Sequence, residues 1–463
     1  MIELSIADIA KTLGGRLVGG DAPVSGTVRT DSRAVVPGDI FFALPGETTD
    51  GHLFAPAAVD NGAALLVVER ELETAVPQIV VADGVVALSD LAREVVARVR
   101  AGGGLKVVAV TGSNGKTTTK NMLRAILGSE GPTVAPEGSF NNEVGAPISM
   151  LGVDAGTRYL VVEMGADGVG DITKLISVVT PDVGIVLTVG LAHVGKFGSQ
   201  DEIERAKSEM VTDLPETAVA VLNADDPRVA RMARSTRARV VTFGLGDADV
   251  RAADVDTSAT GTSFTVVSDG AELPVRLGIL GEHHAMNALA AMTAARAVGV
   301  PFERSIAALE GLVRAERWRM EVLERPDGVV IINDAYNASP DSMAAALKTL
   351  AQVTRGDDRR SVAVLGEMAE LGDFADDEHD RIGRLVVRLN VRQLVVVGHN
   401  ARHIHNAAGL EGSWDGESVL VDTPEEAYDV LRDSLREGDV VLVKSSKSAG
   451  LRLLGDRLAG VAE

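Results

Sequence analysis

The amino-acid sequence predicts an α/β protein built from three domains. Its 463 residues are too many for a single hydrophobic core. Short apolar runs alternate with segments of helical period along most of the chain, as expected for strands joined by crossover helices. Changes in residue composition along the chain predict three domains: a small α/β domain (1–103), a doubly wound, mostly parallel domain (104–315) and a Rossmann-like domain (316–463).

The first domain begins with a helical pattern and continues with short strands. The helical pattern covers 5–13, and clear strand-like runs occupy 39–44 and 64–68. Three consecutive glycines at 102–104 follow the last helical segment. Because a glycine run is flexible, we expect a hinge between the first and second domains at this point.

The second domain shows the strand, loop and helix order of a doubly wound sheet. Its apolar runs at 159–164, 183–188 and 218–222 each precede a polar loop and a helical pattern. The stretch 249–276 is rich in Thr, Ser and Val and lacks helical period, which predicts a small antiparallel extension. An alanine-rich helix is expected over 285–297.

The third domain repeats this alternation, with apolar runs at 328–332, 361–365, 393–397 and 440–443. It contains no Gly-x-Gly-x-x-Gly fingerprint after a strand. The pattern therefore predicts a second Rossmann-like sheet but gives no support for dinucleotide binding.

Composition limits the function and the location of the protein. The chain has no cysteine, so any metal must be held by oxygen or imidazole ligands. Its formal charge of −21 disfavours nucleic acid as a partner. No apolar run reaches the length of a membrane span, and the N-terminal residues lack the basic start of a secretory signal. We expect a cytoplasmic protein, and a monomer.

The most informative stretch is 106–119, where an apolar strand leads into Thr-Gly-Ser-Asn-Gly-Lys-Thr-Thr. Gly112 and Gly115 let backbone N–H groups turn towards a polyphosphate, while Lys116 offers a charge and Thr117 a hydroxyl for Mg²⁺. The following helix adds its N-terminal dipole. Because Val110 stands where a full Walker A has glycine, this is a compact form of the phosphate loop.

Three further side chains lie after strands or on the next helix, and each has two interpretations. Glu163 closes an apolar run and could hold Mg²⁺, or it could be a solvated or capping acid. His193 could be a ligand, although a loop histidine is more often a surface residue. Lys207 falls on a predicted helix, where lysines are usually solvated. His399, His403 and His405 are interpreted as surface histidines.

Ordered motifs along the whole chain resemble those of the Mur ligases of peptidoglycan synthesis. The first domain carries Thr-Asp-Ser-Arg at 30–33 and Asp-Gly-His at 50–52. The second carries the phosphate loop, Asn-Asn-Glu-Val-Gly-Ala-Pro at 141–147 and Glu-Met-Gly at 163–165. The third carries Asn-Asp-Ala-Tyr-Asn-Ala-Ser-Pro at 333–340 and Gly-Glu-Met-Ala-Glu-Leu-Gly at 366–372.

The resemblance implies a role for each candidate residue. ATP would be held by the phosphate loop together with residues of the second and third domains, and two Mg²⁺ ions by side chains around it; Lys207 would be carbamylated, its CO₂ adduct serving as a metal ligand. The implied ATP set is Gly112, Ser113, Asn114, Gly115, Lys116, Thr117, Thr118, Asn287, Arg319 and Asp334. The implied metal set is Thr117, Glu163, His193 and Lys207, and the implied catalytic set is Lys116, Glu163, His193 and Lys207. The implied substrate set is Asp31, Ser32, Asn141, Asn142, Lys444 and Lys447.

Within the family, the motifs are most similar to those of the ligase that joins D-alanyl-D-alanine to UDP-N-acetylmuramoyl-tripeptide. The first domain would then bind the UDP-muramoyl peptide, and the other two would share ATP. The implied chemistry is activation of the tripeptide carboxylate as an acyl phosphate, followed by attack of the dipeptide amine. Such sharing predicts hinge closure that excludes water, and an open form before ligands bind.

Three positions depart from the family pattern. Ser339 occupies a place often held by asparagine, Ser139 is a second departure, and Lys447 replaces a usual arginine. Because lysine lacks arginine's bidentate fork, the nature of the contact at Lys447 stays open.

Three alternative functions compete with dipeptide addition. The neighbouring ligase that adds diaminopimelate or lysine shares the first two domains, but the Asp-Asn-Pro-Arg motif of its diaminopimelate form is missing here. A folate-polyglutamylating ligase shares the ATPase plan and lacks the Thr-Asp-Ser-Arg domain. A non-catalytic nucleotide switch is disfavoured by the combination of Lys116, Glu163 and Lys207.

Overall fold

The structure is a computed structural model that describes residues 1–46, 48–136, 138–312, 316–355, 359–412 and 414–461. Each of its three larger sheets lies within one of the predicted domains. The exact boundaries stay a prediction, and the predicted end of the second domain, at 315, lies outside the described residues.

The N-terminal region pairs short strands with three helices. A five-stranded sheet has the order β2-β7-β6-β5-β4, and all its pairings are parallel except that of β2 with β7. The side chain of Ser5 accepts a hydrogen bond from the backbone of Asp8, so the first helix begins where the sequence predicts. The elements are β1 Leu4–Ser5, α1 Ile6–Thr12, β2 Arg16–Val18, β3 Pro23–Val24, β4 Val28–Arg29, β5 Ile40–Phe42, α2 Ala55–Asp60, β6 Leu65–Val68, β7 Gln78–Val80 and α3 Gly84–Ala101.

The central region forms a nine-stranded sheet of order β16-β15-β14-β13-β12-β11-β8-β10-β9. Its strands from β8 to β14 are parallel, whereas β15 and β16 are antiparallel, which confirms the predicted extension. The elements are β8 Lys106–Thr111, α4 Lys116–Glu130, β9 Thr133–Val134, α5 Gly145–Met150, β10 Tyr159–Glu163, α6 Asp171–Val178, β11 Val183–Val186, α7 Val194–Phe197, α8 Gln200–Thr212, β12 Val219–Asn223, α9 Pro227–Arg231, β13 Arg239–Gly244, β14 Val250–Ser258, β15 Gly261–Ser268, β16 Ala271–Leu277, α10 Glu282–Ala297 and α11 Phe302–Glu310.

The C-terminal region is a six-stranded sheet of order β17-β18-β22-β19-β20-β21. Only the edge pair β17 and β18 is antiparallel among its described pairings. The elements are β17 Glu321–Glu324, β18 Val330–Asn333, α12 Pro340–Val353, β19 Ser361–Leu365, α13 Ala375–Arg388, β20 Gln393–Val397, α14 Arg402–Leu410, β21 Glu417–Val421, α15 Pro424–Arg432, β22 Val440–Lys444 and α16 Leu451–Leu458.

The core explains why the parallel strands read as continuous apolar runs. Val108 and Val110 of β8 and Ile185 of β11 are fully buried, because helices cover both faces of the sheet. Along the described part of the chain, no helix is both long and apolar enough to cross a membrane.

The central and C-terminal regions contact one another across the carboxyl edge of the central sheet. Asn114 of the phosphate loop accepts a hydrogen bond from Ser339, and Asp341 accepts one from the backbone of Leu191 at 3.3 Å. The structure therefore shows these two regions in contact, and the open form expected before ligands bind stays a prediction.

Candidate active site

The phosphate loop lies between β8 and α4, in the middle of the central sheet. Gly115 has φ +84°, and a Cβ there would stand 2.4 Å from Asn287 Oδ1, so glycine is required for both backbone conformation and space. Lys116 begins α4 and donates from Nζ to the carbonyl of Gly112 at 2.7 Å. The loop therefore presents the start of a 15-residue helix to a neighbouring cavity.

That cavity has a volume of about 740 Å³ and is lined by both the central and C-terminal regions. Nucleotide-sized ligands fit pockets of this size. It collects most of the predicted ATP residues: Ser113, Asn114, Gly115, Lys116, Thr117, Thr118, Asn287, Arg319 and Asp334. Gly112 shapes the turn instead, since a Cβ there would stand 2.8 Å from that of Leu187.

Glu163 is buried at the end of β10, directly beside the strand that leads into the phosphate loop. Its carboxylate accepts hydrogen bonds from Thr117 Oγ1 at 3.0 Å and from Asn141 Nδ2 at 2.8 Å. A solvated or capping acid would not be held in this way. The hydroxyl and carboxylate form a compact set of oxygen ligands of the kind that Mg²⁺ prefers.

The C-terminal side of the cavity is built on the segment that enters this region. Arg319 lies with its guanidinium 4.2 Å from the ring centre of Tyr336 and donates to Ser139 Oγ at 3.3 Å. Its Nε is buried without a hydrogen-bonding partner among the described residues. This guanidinium faces the phosphate-loop side and is suited to an anionic group.

Lys444 is fully buried and anchors the loop that follows β18. Its Nζ donates to Asp334 Oδ2 at 2.6 Å and to the carbonyl of Asn337 at 3.0 Å. Although Lys444 lines the cavity, its ammonium is engaged by the protein itself. The substrate contact suggested for it stays a prediction, and its described contacts hold Asp334 in place.

The departure at Ser339 has a structural account. Ser339 forms a capping box with Ser342 at the start of α12, and its hydroxyl donates to Asn114 Oδ1 at 2.8 Å. A short hydroxyl therefore caps the helix and joins the phosphate loop to the C-terminal region. Ser139, the other serine departure, is in hydrogen-bonding contact with Thr117 at 3.2 Å.

His193 lies after β11, at the border of the large cavity and a second one of about 310 Å³. Its Nδ1 contacts the carboxylate of Glu370, which comes from the C-terminal region. Burial lowers the pKa of His193, and the positive charge of Lys116 acts in the same direction. A neutral imidazole with Nε2 unengaged by described residues fits a metal ligand.

Lys207 is buried on α8 at 4% exposure. Its ammonium makes no hydrogen bond or ion pair within the described residues. Burial, together with the smaller effect of the Lys116 charge, lowers the pKa of Lys207 to about 7, against the opposing effect of Asp167. The expectation from helix position alone, a solvated lysine, is wrong.

The substrate candidates of the N-terminal region are not brought to either cavity. Asp31 is paired with Arg33, and the guanidinium holds the pKa of that carboxyl at about 2. Ser32 is buried, and its carbonyl accepts a hydrogen bond from Asn61. Asn142, in the central region, accepts a hydrogen bond from the backbone of Gly145 at 2.8 Å and is not among the residues that line the two cavities. Of the other substrate candidates, Asn141 and Lys444 line the large cavity and Lys447 lines the smaller one.

Several site residues were given no role from the sequence. His283 and His284 line the large cavity, with ring centres 4.2 Å apart, and burial lowers the pKa of His283 to about 4. Tyr336 and Glu370 lie inside motifs that were recognised, but nothing in the sequence indicated what they contact. Among the described residues, no group of three or more His, Asp or Glu side chains could hold a metal ion by itself.

Comparison with known proteins identifies the family. Three family descriptions match successive parts of the chain: Mur ligase family, catalytic domain, over 26–100; Mur ligase middle domain over 110–295; and Mur ligase, glutamate ligase domain, over 318–447. They follow the order of the three sheets.

Similar whole proteins have one name in common. The chain is 43% identical to UDP-N-acetylmuramoyl-tripeptide--D-alanyl-D-alanine ligase of Mycobacterium tuberculosis, over 99% of this chain and 98% of that one. The ligase of the same name from Escherichia coli is 32% identical, over 97% of each chain.

Solved structures agree in fold. A crystal structure of MurF from Acinetobacter baumannii superimposes with a TM-score of 0.89, at 31% identity and 99% coverage of each chain. MurF ligase from Thermotoga maritima in complex with ADP gives a TM-score of 0.82, at 29% identity, over 94% of this chain and 98% of that one. With three matched domains and full-length relatives, the chain belongs to the Mur ligase family.

Proposed function

We propose that this chain is an ATP-dependent ligase that joins D-alanyl-D-alanine to UDP-N-acetylmuramoyl-tripeptide, giving the pentapeptide precursor of peptidoglycan. The observation that carries the proposal is a pair of adjoining cavities. His193 and the segment 336–339 line both the large cavity and the smaller one. A nucleotide in the first cavity would meet an acceptor amine arriving from the second.

The phosphate end of the reaction is served by the phosphate loop. The tripeptide carboxylate attacks the γ-phosphorus of ATP, the bond to the β-phosphate oxygen breaks, and ADP leaves. Lys116 and Arg319 approach the transferred group from opposite regions and offset its charge. Mg²⁺ ions held by Thr117, Glu163, His193 and carbamylated Lys207 would neutralise the charge that develops on that group.

The state of Lys207 supports carbamylation. Only the neutral amine attacks CO₂, giving a carbamate and releasing one proton. With its pKa lowered to about 7 by burial, a large fraction of this amine is neutral at physiological pH, whereas a solvated lysine is almost wholly protonated. The product would turn an unpaired buried amine into an oxygen ligand.

The remaining candidate residues would bind the nucleoside part of ATP and the acceptor dipeptide. Asn287 would contact adenine, and Asp334, held by Lys444, would contact ribose. The smaller cavity contains Ser446 and Lys447, and the Lys447 ammonium lies 6.0 Å from the ring centre of Tyr336. A single cation there suits the carboxylate of a short peptide.

The UDP-muramoyl part would be held by Asp31, Ser32, Asn141 and Asn142. Because three of these lie away from both cavities, the peptide stem must extend from the N-terminal region towards Glu163. We propose that the protein works as a monomer in the cytoplasm, where ATP is present. Closure of the C-terminal region keeps water from the acyl phosphate.

Phosphate release tests the proposal. The purified protein is given ATP, Mg²⁺ and UDP-N-acetylmuramoyl-tripeptide, with and without D-alanyl-D-alanine, and the product mass is read. We expect dipeptide-dependent release and the pentapeptide adduct. Release that requires a single amino acid and the shorter precursor would identify the neighbouring ligase, and no turnover would favour a nucleotide-binding switch.

A further inference from the structure

Glu370 is an acidic side chain of the C-terminal region that reaches into the central region. It lies between β19 and α13, 177 residues from His193 in sequence. Its carboxylate contacts His193 Nδ1 through one oxygen and Lys196 Nζ, at 3.1 Å, through the other. Lys196 is held in turn by Asp167 at 3.0 Å. Glu370 therefore joins the two regions beside both cavities.

The contact fixes which nitrogen of His193 carries the proton. Glu370 is also paired with the ammonium of Lys196 at 3.1 Å, and this positive charge favours the ionised form of the carboxylate. An ionised carboxylate can only accept, so Nδ1 must be the protonated nitrogen. Nε2 is then left with its lone pair, which is the arrangement that a histidine needs to bind a metal ion.

The backbone around this contact is shaped to bring Glu370 close. Gly195 donates its N–H to the carbonyl of Glu370 at 2.9 Å, and a Cβ on Gly195 would stand 2.7 Å from the nitrogen of Gly372. His193 and Glu370 each have φ +62°, a conformation uncommon for residues other than glycine. Two strained residues and a glycine contact meet at one point, so the approach is specific.

We propose that Glu370 is a positioning residue for the ligase reaction: it orients His193 towards the metal, and it does so only when the C-terminal region has closed on the central region. Closure then completes the catalytic site instead of only covering it. This inference rests on the proposed function and on His193 as a metal ligand. The glutamate of Glu-Leu-Gly in the motif at 366–372 would then orient a metal ligand.

Mn²⁺ in place of Mg²⁺ provides a readout other than activity. Pulsed electron paramagnetic resonance of the protein with Mn²⁺ and a non-hydrolysable ATP analogue detects nitrogen coupled to the metal. The unsubstituted protein should show imidazole nitrogen coupling, and His193→Asn defines the signal without it. Glu370→Ala should lose most of the coupling and about 10–100-fold in kcat/KM.

Two further variants separate orientation from simple surface charge. Glu370→Gln keeps an acceptor for Nδ1–H, so it should retain the nitrogen coupling and much of the activity. Asp373 is an exposed acid three residues away in the same segment, and its carboxylate makes no hydrogen bond or ion pair with a described residue. Asp373→Asn is therefore the control. It should match the unsubstituted protein in both measurements, and Glu370→Ala should unfold at the same temperature as Asp373→Asn.

The outcomes distinguish this inference from the proposed function. An active enzyme whose nitrogen coupling is unchanged in Glu370→Ala, or absent before any substitution, overturns the role of Glu370 alone. Equal loss of coupling in Glu370→Gln and Glu370→Ala would also overturn it, because the hydrogen bond would then not be the cause. A parent protein without ligase activity overturns the proposed function first.

Discussion

Replacing Lys207 with methionine should stabilise the protein and abolish its turnover. The amine of Lys207 is buried, and burial lowers its pKa to about 7 from the ordinary value of 10.5. At about 1.4 kcal/mol for each pH unit, that difference sets a ceiling of about 5 kcal/mol on the cost of burying the amine at neutral pH. Methionine fills similar space without this cost.

The sign of the pH dependence follows from the direction of the pKa change. Because the folded-state pKa lies below the unfolded-state pKa, the unfolded chain binds more protons between pH 7 and 10.5. The stability of the unsubstituted protein therefore rises with pH across that window. The advantage of Lys207→Met should be largest near pH 7 and shrink by pH 9.

Thermal unfolding in CO₂-depleted buffer measures this effect. Each kcal/mol gained should raise Tm by about 2–4 °C in a domain of this size. Lys174→Met, which changes an exposed lysine of the same region, should alter stability by no more than about 0.5 kcal/mol. Turnover of Lys207→Met should fall about 100-fold or more. A lower Tm than the parent, or turnover like the parent's, would refute the reasoning.

Three other substitutions test separate parts of the site. Gly115→Ala should weaken ATP binding at least about tenfold in calorimetry, because φ is +84° and the new Cβ would stand 2.4 Å from Asn287 Oδ1; unchanged affinity would contradict the loop geometry. Lys120→Met should lower the free energy of unfolding by about 2–4 kcal/mol, since two carbonyls bonded at 2.8 Å lose their donor. Lys106→Met, which changes an exposed lysine, is its control. Equal losses of unfolding free energy in the two variants would refute the effect of burial. Lys447→Ala should raise the KM for the dipeptide about tenfold in steady-state kinetics and leave the KM for ATP unchanged. A rise in the KM for ATP alone would contradict the placement of Lys447 in the dipeptide site.

Much of the fold could be predicted because buried parallel strands leave a strong pattern. The runs 361–365 and 393–397 coincide with β19 and β20 to the residue, since helices cover both faces, every position is buried and all but the first residue of each strand are apolar. The extension over β14 to β16 was equally readable, because β-branched residues without helical period favour antiparallel strands.

The parts of the site that join distant segments could not be predicted. Ser339 and Asn114 are 225 residues apart, and their contact depends on how two regions pack. Lys120 and Lys207 are lysines on helices, which a local pattern assigns to solvent. Lys120 is buried where its ammonium donates to the carbonyls of Pro136 and Gly138. Lys207 is buried by the packing of α8.

The most direct test of the account follows an oxygen atom. UDP-N-acetylmuramoyl-tripeptide labelled with ¹⁸O in its terminal carboxylate is converted with ATP and D-alanyl-D-alanine, and the released phosphate is analysed by mass. Attack of the carboxylate on the γ-phosphorus predicts one ¹⁸O in the phosphate for each amide bond formed. Unlabelled phosphate accompanying pentapeptide formation would contradict the acyl-phosphate mechanism on which the assignment of the site depends.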